Sequence, residues 1–190
     1  ALKIKKEVSK TGAKLLIIKQ KHLGSDNLPG YIINFTEFLK ENGVTIVENT
    51  RVVDIIDNKK SFDVLCKVKK EEVKYQAKYV IVAPGRTGAK WIQELADEYK
   101  IPYLSQSIEI GVRVEVRKEL LEDLCSVIYD PSIFIKTKTY GDEIRTFCTN
   151  PGGYVTKENY YGYICVNGHA LKKVKSNNSN FAFISKVNLT

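Results

Sequence analysis

Alternating and continuous apolar runs divide the chain into segments. Leu2 and Ile4 among lysines, and Lys14-Leu15-Leu16-Ile17-Ile18-Lys19, read as two short strands over 1–8 and 13–19 around a Thr11-Gly12 turn. Leu28, Ile32, Phe35, Phe38 and Leu39 then recur at helical spacing, after a turn at 22–27. Asn42-Gly43 closes that helix, with Gly43 suited to a left-handed cap. A β-rich stretch follows. Strands are predicted at 44–47 and 52–56, then at 62–68, where Phe62, Val64, Cys66 and Val68 alternate. The run at 77–83 ends in continuous apolar residues, the pattern of a strand buried on both faces.

Pro84-Gly85 ends that run, and Thr87 is a candidate cap for a helix whose apolar face is Trp91, Ile92, Leu95 and Tyr99. Ile108, Ile110, Val112, Val114 and Val116 form the clearest alternation in the chain, with Glu109, Arg113, Glu115 and Arg117 on the opposite face. A short helix over 118–126 and strands at 132–138, 143–149, 161–166 and 180–187 complete a mixed α+β chain rich in antiparallel sheet. Pro102 and Ser105 to Ser107 separate the second long helix from the long strand, so the division is set between 1–104 and 105–190.

Composition narrows the class. Hydrophobic residues make up 43% and charged residues 27%, as in ordinary globular chains, and no apolar run approaches the length of a membrane span. The net charge of +8 is concentrated in residues 1–95, but the lysines there are scattered and not interleaved with aromatics. A lysine-rich surface is the favoured reading; a basic module for nucleic acid or another polyanion is the alternative. Cys66, Cys125, Cys148 and Cys165 form no C-x-x-C pair, and with only His22 and His169 beside them no metal centre is expected. A reducing, cytoplasmic setting is expected. The chain starts at Ala1 and contains no Met, from which an excised fragment is expected.

Four segments can carry chemistry. Ala83-Pro84-Gly85-Arg86-Thr87-Gly88 lies between a strand and a helix, where small residues admit a ligand and helix N–H groups attract an anion; taken alone, a tight turn with no ligand is the favoured reading. Cys148-Thr149-Asn150-Pro151-Gly152-Gly153 forces an unusual backbone path after a strand and includes a candidate thiol. Asn167-Gly168-His169 combines a hairpin signal with a possible acid–base group. His22 and Asp26 stand four residues apart, although helix capping by Asp26 or Asn27 accounts for the carboxylate. No dinucleotide-binding glycine motif and no phosphate-binding Walker pattern occurs.

Taken in order, HLGSDNL at 22–28, VIVAPGRTG at 80–88, IEIGVRVEV at 108–116, TFCTNPGGYV at 146–155, VNGHA at 166–170 and SNNSNFAFI at 176–184 resemble a family of uncharacterised FAD-dependent dehydrogenases. The resemblance spans nearly the whole chain. It implies that Ala83, Pro84, Gly85 and Arg86 lie against the flavin nucleotide, with Pro84 where Thr is usual, and that Val53 approaches the adenine end. Arg113, Cys148, Pro151, Gly152, Gly153, Asn167 and His169 would fall on the substrate side, with no catalytic base assigned.

Such enzymes begin with a Gly-rich turn for the FAD pyrophosphate, which these residues lack. The expectation is therefore the inner part of a flavin-dependent oxidoreductase, inactive alone, with FAD held in the intact protein and weakly bound or absent in these residues alone. Its partners would be the remaining segments of its parent chain and an unknown small molecule. Bare apolar surface, above all at 79–83, is expected to favour self-association.

Overall fold

A computed structural model of the chain describes residues 1–18, 22–104, 106–160 and 162–188. In chain order the elements are α1 (Leu2–Lys10), β1 (Lys14–Leu16), α2 (Leu28–Glu41), β2 (Thr50–Asp57), β3 (Phe62–Val68), β4 (Glu71–Ala77), a 3-10 turn (Arg86–Gly88), α3 (Ala89–Glu98), β5 (Ile108–Arg117), α4 (Glu119–Val127), β6 (Ser132–Lys136), β7 (Glu143–Asn150), β8 (Tyr154–Tyr160), β9 (Tyr163–His169) and β10 (Asn178–Val187). The fold is mixed α+β with antiparallel sheets. The parts of the predicted strands that fall on Lys19 and Tyr161, and the proposed division at Ser105, lie outside the described residues.

The chain forms two compact units, Ala1–Ile32 with Leu104–Thr190, and Ile33–Tyr103. In the first, five antiparallel strands run in the order β1-β6-β7-β10-β5. β5 and β10 pair over their full lengths, from Asn178 opposite Arg117 to Val187 opposite Ile108. Gly111 is required within that ladder, because a Cβ there would overlap the Phe183 carbonyl. Leu15, Ile128, Cys125 and Ala182 are buried. The β8–β9 hairpin lies against β7 and β10.

The second unit is the antiparallel sheet β2-β3-β4 with α3. It is fastened by the Tyr99 hydroxyl, which donates to the Ile55 carbonyl. Gly43 takes φ +82 and the Val44 N–H donates to the Leu39 carbonyl, so the expected left-handed cap ends α2.

Several predicted elements differ. Residues 2–10 are helical, not a strand: Ile4 and Val8 are also one helical turn apart, and Lys10 bonds Glu7 along the same face. Residues 44–47 form no strand. The apolar run at 78–83 has no strand partner among the described residues; β4 already ends at Ala77, and Tyr79 and Ile81 stand 78% and 94% exposed. Helix α3 starts at Ala89, with Gly88 and not Thr87 at its N-cap. Asn167-Gly168 is not a hairpin turn. Both residues pair within β9, opposite Thr156 and Val155, and the reversal falls at Gly162 with φ +87. Among the described residues no helix is long and apolar enough to cross a membrane.

Candidate functional site

Each unit contains a place where predicted residues meet. In the Ile33–Tyr103 unit a cavity of about 710 Å³ is walled by Val52, Ile55, Val64, Val80, Val82 and Trp91, with Thr50, Arg51, Ala83, Pro84, Thr87 and Gly88 completing it. Of the four turn residues singled out for the cofactor, Ala83 and Pro84 line the cavity, whereas Gly85 and Arg86 are not among its walls. Val52, not Val53, faces it. A β-bulge sets this: Val52 pairs with Cys66 and Asp54 with Leu65, leaving Val53 as the extra residue.

The turn that follows is tight for an internal reason. A Cβ on Gly88 would overlap the Pro84 ring. The N–H groups of Gly88 and Ala89 donate to the carbonyls of Gly85 and Arg86, so these two are spent within the 3-10 turn and not offered to an anion. The lining is mostly branched aliphatic side chains and an indole, with two threonines and one arginine among them. They do not supply a glycine cradle for a pyrophosphate. A second cavity of about 390 Å³ shares Val80 and Val82 with the first. Val80 and Val82 of the unpaired run thus line both cavities, where a finished core would be close-packed.

The other unit gathers most of the substrate-side candidates. The β7–β10 register shifts between Asn180 and Ala182, which face Asn150 and Phe147, so Cys148 and Thr149 form a bulge. Cys148 has φ +49, a left-handed conformation uncommon for a side chain other than Gly. Its carbonyl accepts from Arg113 Nη1 at 3.2 Å and from Asn150 Nδ2 at 2.7 Å. Asn180 Oδ1 accepts from the same Arg113 nitrogen at 2.6 Å and from Asn150 Nδ2 at 3.3 Å. Asn150 and Asn180 are essentially inaccessible, at 1% and 0%.

Gly168 of β9 packs directly onto this cluster, since a Cβ there would overlap Asn150 Nδ2 and Arg113 Nη1 and lie 2.5 Å from Asn180 Oδ1. Gly153 is held likewise, its Cβ position 2.6 Å from the His169 carbonyl and 2.7 Å from Asn150 Cβ. Two buried atoms of the cluster have no hydrogen-bond partner among the described residues, Arg113 Nε and Asn180 Nδ2. Both are donors, so what the cluster still requires is an acceptor oxygen.

Asn167 bonds Glu158 at 3.0 Å and the Gly168 N–H at 2.8 Å. Gly152 donates its N–H to Ser179 Oγ. Asp26 does not cap α2; its two oxygens accept the Lys172 and Lys173 N–H groups, each at 2.9 Å, and these bonds hold its carboxyl below the usual range. His22 stacks on Tyr129 with ring centroids 4.5 Å apart, and burial lowers its pKa. Glu109 pairs with Arg145 in two hydrogen bonds of 2.9 and 2.6 Å, so it does not stand as a free charge on β5.

Asn180 was not singled out in the sequence, and Asn150 stood there only as part of the segment at 148–153. Their signal was polar side chains at strand positions among Phe147, Phe181 and Phe183, a pattern that marks buried hydrogen bonding as readily as an exposed edge.

Thiol reactivity separates the four cysteines. Burial pushes the Cys125 thiol up to about 11 and Cys66 is buried, whereas Cys165 is exposed. Iodoacetamide at neutral pH is expected to label Cys165 first and to spare Cys125 and Cys66 in the folded chain. Peptide mass spectrometry over time checks this; early labelling of Cys125 would contradict the burial.

No protein-family model matches the chain, and no curated protein sequence matches it.

Proposed function

We propose that this chain is the inner region of a flavin-dependent oxidoreductase, with the Ile33–Tyr103 unit on the nucleotide side and the Arg113–Asn180 cluster on the substrate side. The observation that carries the reading is the cavity beside the unpaired run at 78–83. An apolar strand-like segment that ends in Ala83-Pro84 borders a space of about 710 Å³, a volume in the range of cofactor sites. The order of the quoted motifs, from 80–88 through 146–155 to 176–184, supports the same reading.

On this proposal Val52, Val80, Val82 and Trp91 hold a ring of the cofactor by contact, and Thr50 and Thr87 orient it by hydrogen bonds. The pyrophosphate falls to residues outside these 190, because no glycine-rich turn is among them. When bound, the flavin supplies the redox chemistry; the protein positions it and excludes water.

Trp91 is the only tryptophan in the chain, so its fluorescence reports on the cavity directly. Titration with FAD is expected to quench it weakly and saturably, and Val82→Asp is expected to abolish the quench. A longer product of the same gene is expected to be yellow. Unquenched Trp91 at millimolar FAD together with a colourless longer product would overturn the reading. Steeply salt-dependent capture of nucleic acid in its place would favour a polyanion-binding module.

A further inference from the structure

The Pro151-Gly152 turn borders a second, smaller site that does not rest on the flavin reading. Between this turn, α4 and the start of β10 lies a cavity of about 280 Å³. Lys118 and Lys175 stand in its walls with the side chains of Tyr129 and Ser179. Ser179 is fully buried at 0% exposure. Its oxygen accepts the Gly152 N–H at 3.1 Å, while its own proton has no acceptor among the described residues. The Tyr129 hydroxyl makes no hydrogen bond among them either. The stem of Lys175 lies across Gly152, whose missing side chain makes room for it; a Cβ there would come within 3.1 Å of Lys175 Cδ.

We propose that this cavity binds a phosphate group. The donor set is two ammonium groups and the Tyr129 hydroxyl, with Ser179 buried behind them. A phosphate carries close to two negative charges at neutral pH and offers oxygens in several directions, which point charges and a rotatable hydroxyl suit. A planar carboxylate is better matched by a guanidinium fork, and no arginine lines the site.

Glu122 is the one carboxylate in the wall, and its contact with Lys118 is loose, 3.6 Å between side chains 58% and 41% exposed. It therefore competes weakly for Lys118. The electrostatic setting agrees. Desolvation, then the neighbouring Lys172, lowers the pKa of Lys175, with Lys118 also acting against its charge and Asp26 in its favour. That ammonium gains from an incoming anion. Burial, with Asp130 nearby, raises the pKa of Tyr129, which keeps its hydroxyl a donor.

The test is calorimetric titration of the chain with inorganic phosphate at low ionic strength. Lys118→Gln and Lys175→Gln are each expected to weaken binding about tenfold, the scale of one charge-assisted hydrogen bond. Tyr129→Phe is expected to weaken it about threefold. Lys138→Gln, on an exposed turn away from the cavity, is expected to leave it unchanged; circular dichroism checks that every variant folds.

Tighter binding of glycerol phosphate than of inorganic phosphate would identify the ligand as a phosphate ester, and the reverse as free phosphate; either supports the site. Three results overturn it: no heat of binding by the parent chain, an equal loss in Lys138→Gln and Lys175→Gln, or acetate binding as tightly as phosphate.

Discussion

Alanine at position 168 is expected to destabilise the protein by about 3 kcal/mol, because the added methyl must displace buried hydrogen-bonding groups. The Gly168 Cβ position overlaps both Asn150 Nδ2 and Arg113 Nη1, and lies 2.5 Å from Asn180 Oδ1. All three belong to one network, and Asn150 and Asn180 have no access to water to replace lost partners. The hairpin can relieve the overlap only by lifting from β7 and β10, which exposes the network at one edge. A urea titration followed by circular dichroism measures the cost. Gly30→Ala provides the contrast, since nothing lies within 4 Å of its Cβ position and the residue sits in α2. A loss at position 168 no larger than at position 30 would show that β9 does not seat on the cluster.

Gly168 also shows why the sequence was only partly legible. Asn-Gly is a strong local signal for a reversal, and in isolation it outweighs everything else in 163–169. The structure uses this glycine for a different need, close approach of β9 to the side chains of Arg113, Asn150 and Asn180. That need arises from residues far apart in sequence and leaves no local trace. The same limit applies to residues 2–10. Leu-Lys-Ile-Lys-Lys alternates as a strand would, while Ile4 and Val8 satisfy a helical period; with no buried residue in α1, neither pattern is decided by burial.

Where one periodicity governs a long segment, the reading holds. β5 was predicted from five alternating apolar residues and spans Ile108–Arg117, and the helix closed by Gly43 is α2. Yet the face those residues offer is not uniformly covered: Ile108, Ile110 and Val112 are 46%, 55% and 64% exposed. The run at 79–83 is the sharper case. Its composition demands burial on both faces, but strand formation needs a neighbour, and β4 ends before it at Ala77. Tyr79 and Ile81 are left exposed, which accords with the expected bare apolar surface there. The candidate sites were legible as segments rather than as residues. The Pro-Gly-Gly and Asn-Gly-His motifs do converge, but the two asparagines that join them to Arg113 carried no distinguishing signal.

Those asparagines give the second large effect. Asn180→Leu is expected to cost about 3 kcal/mol, from the loss of the acceptor shared by Arg113 and Asn150. Arg113→Met alone is expected to cost about 2 kcal/mol, because it deprives the Asn180 and Cys148 oxygens of a charged donor. Leucine at 180 with methionine at 113 is a different matter. It removes the guanidinium, its buried acceptor and both unpartnered donors, Arg113 Nε and Asn180 Nδ2, in one step.

Because an unmade buried hydrogen bond costs more than a made one contributes, the double variant is expected to lose clearly less than the sum of the two single losses. The double-mutant cycle measures this coupling from urea midpoints. Additive losses would mean that Arg113 and Asn180 act independently. A coupled pair that costs little to replace would mean that the protein keeps these groups for something other than stability.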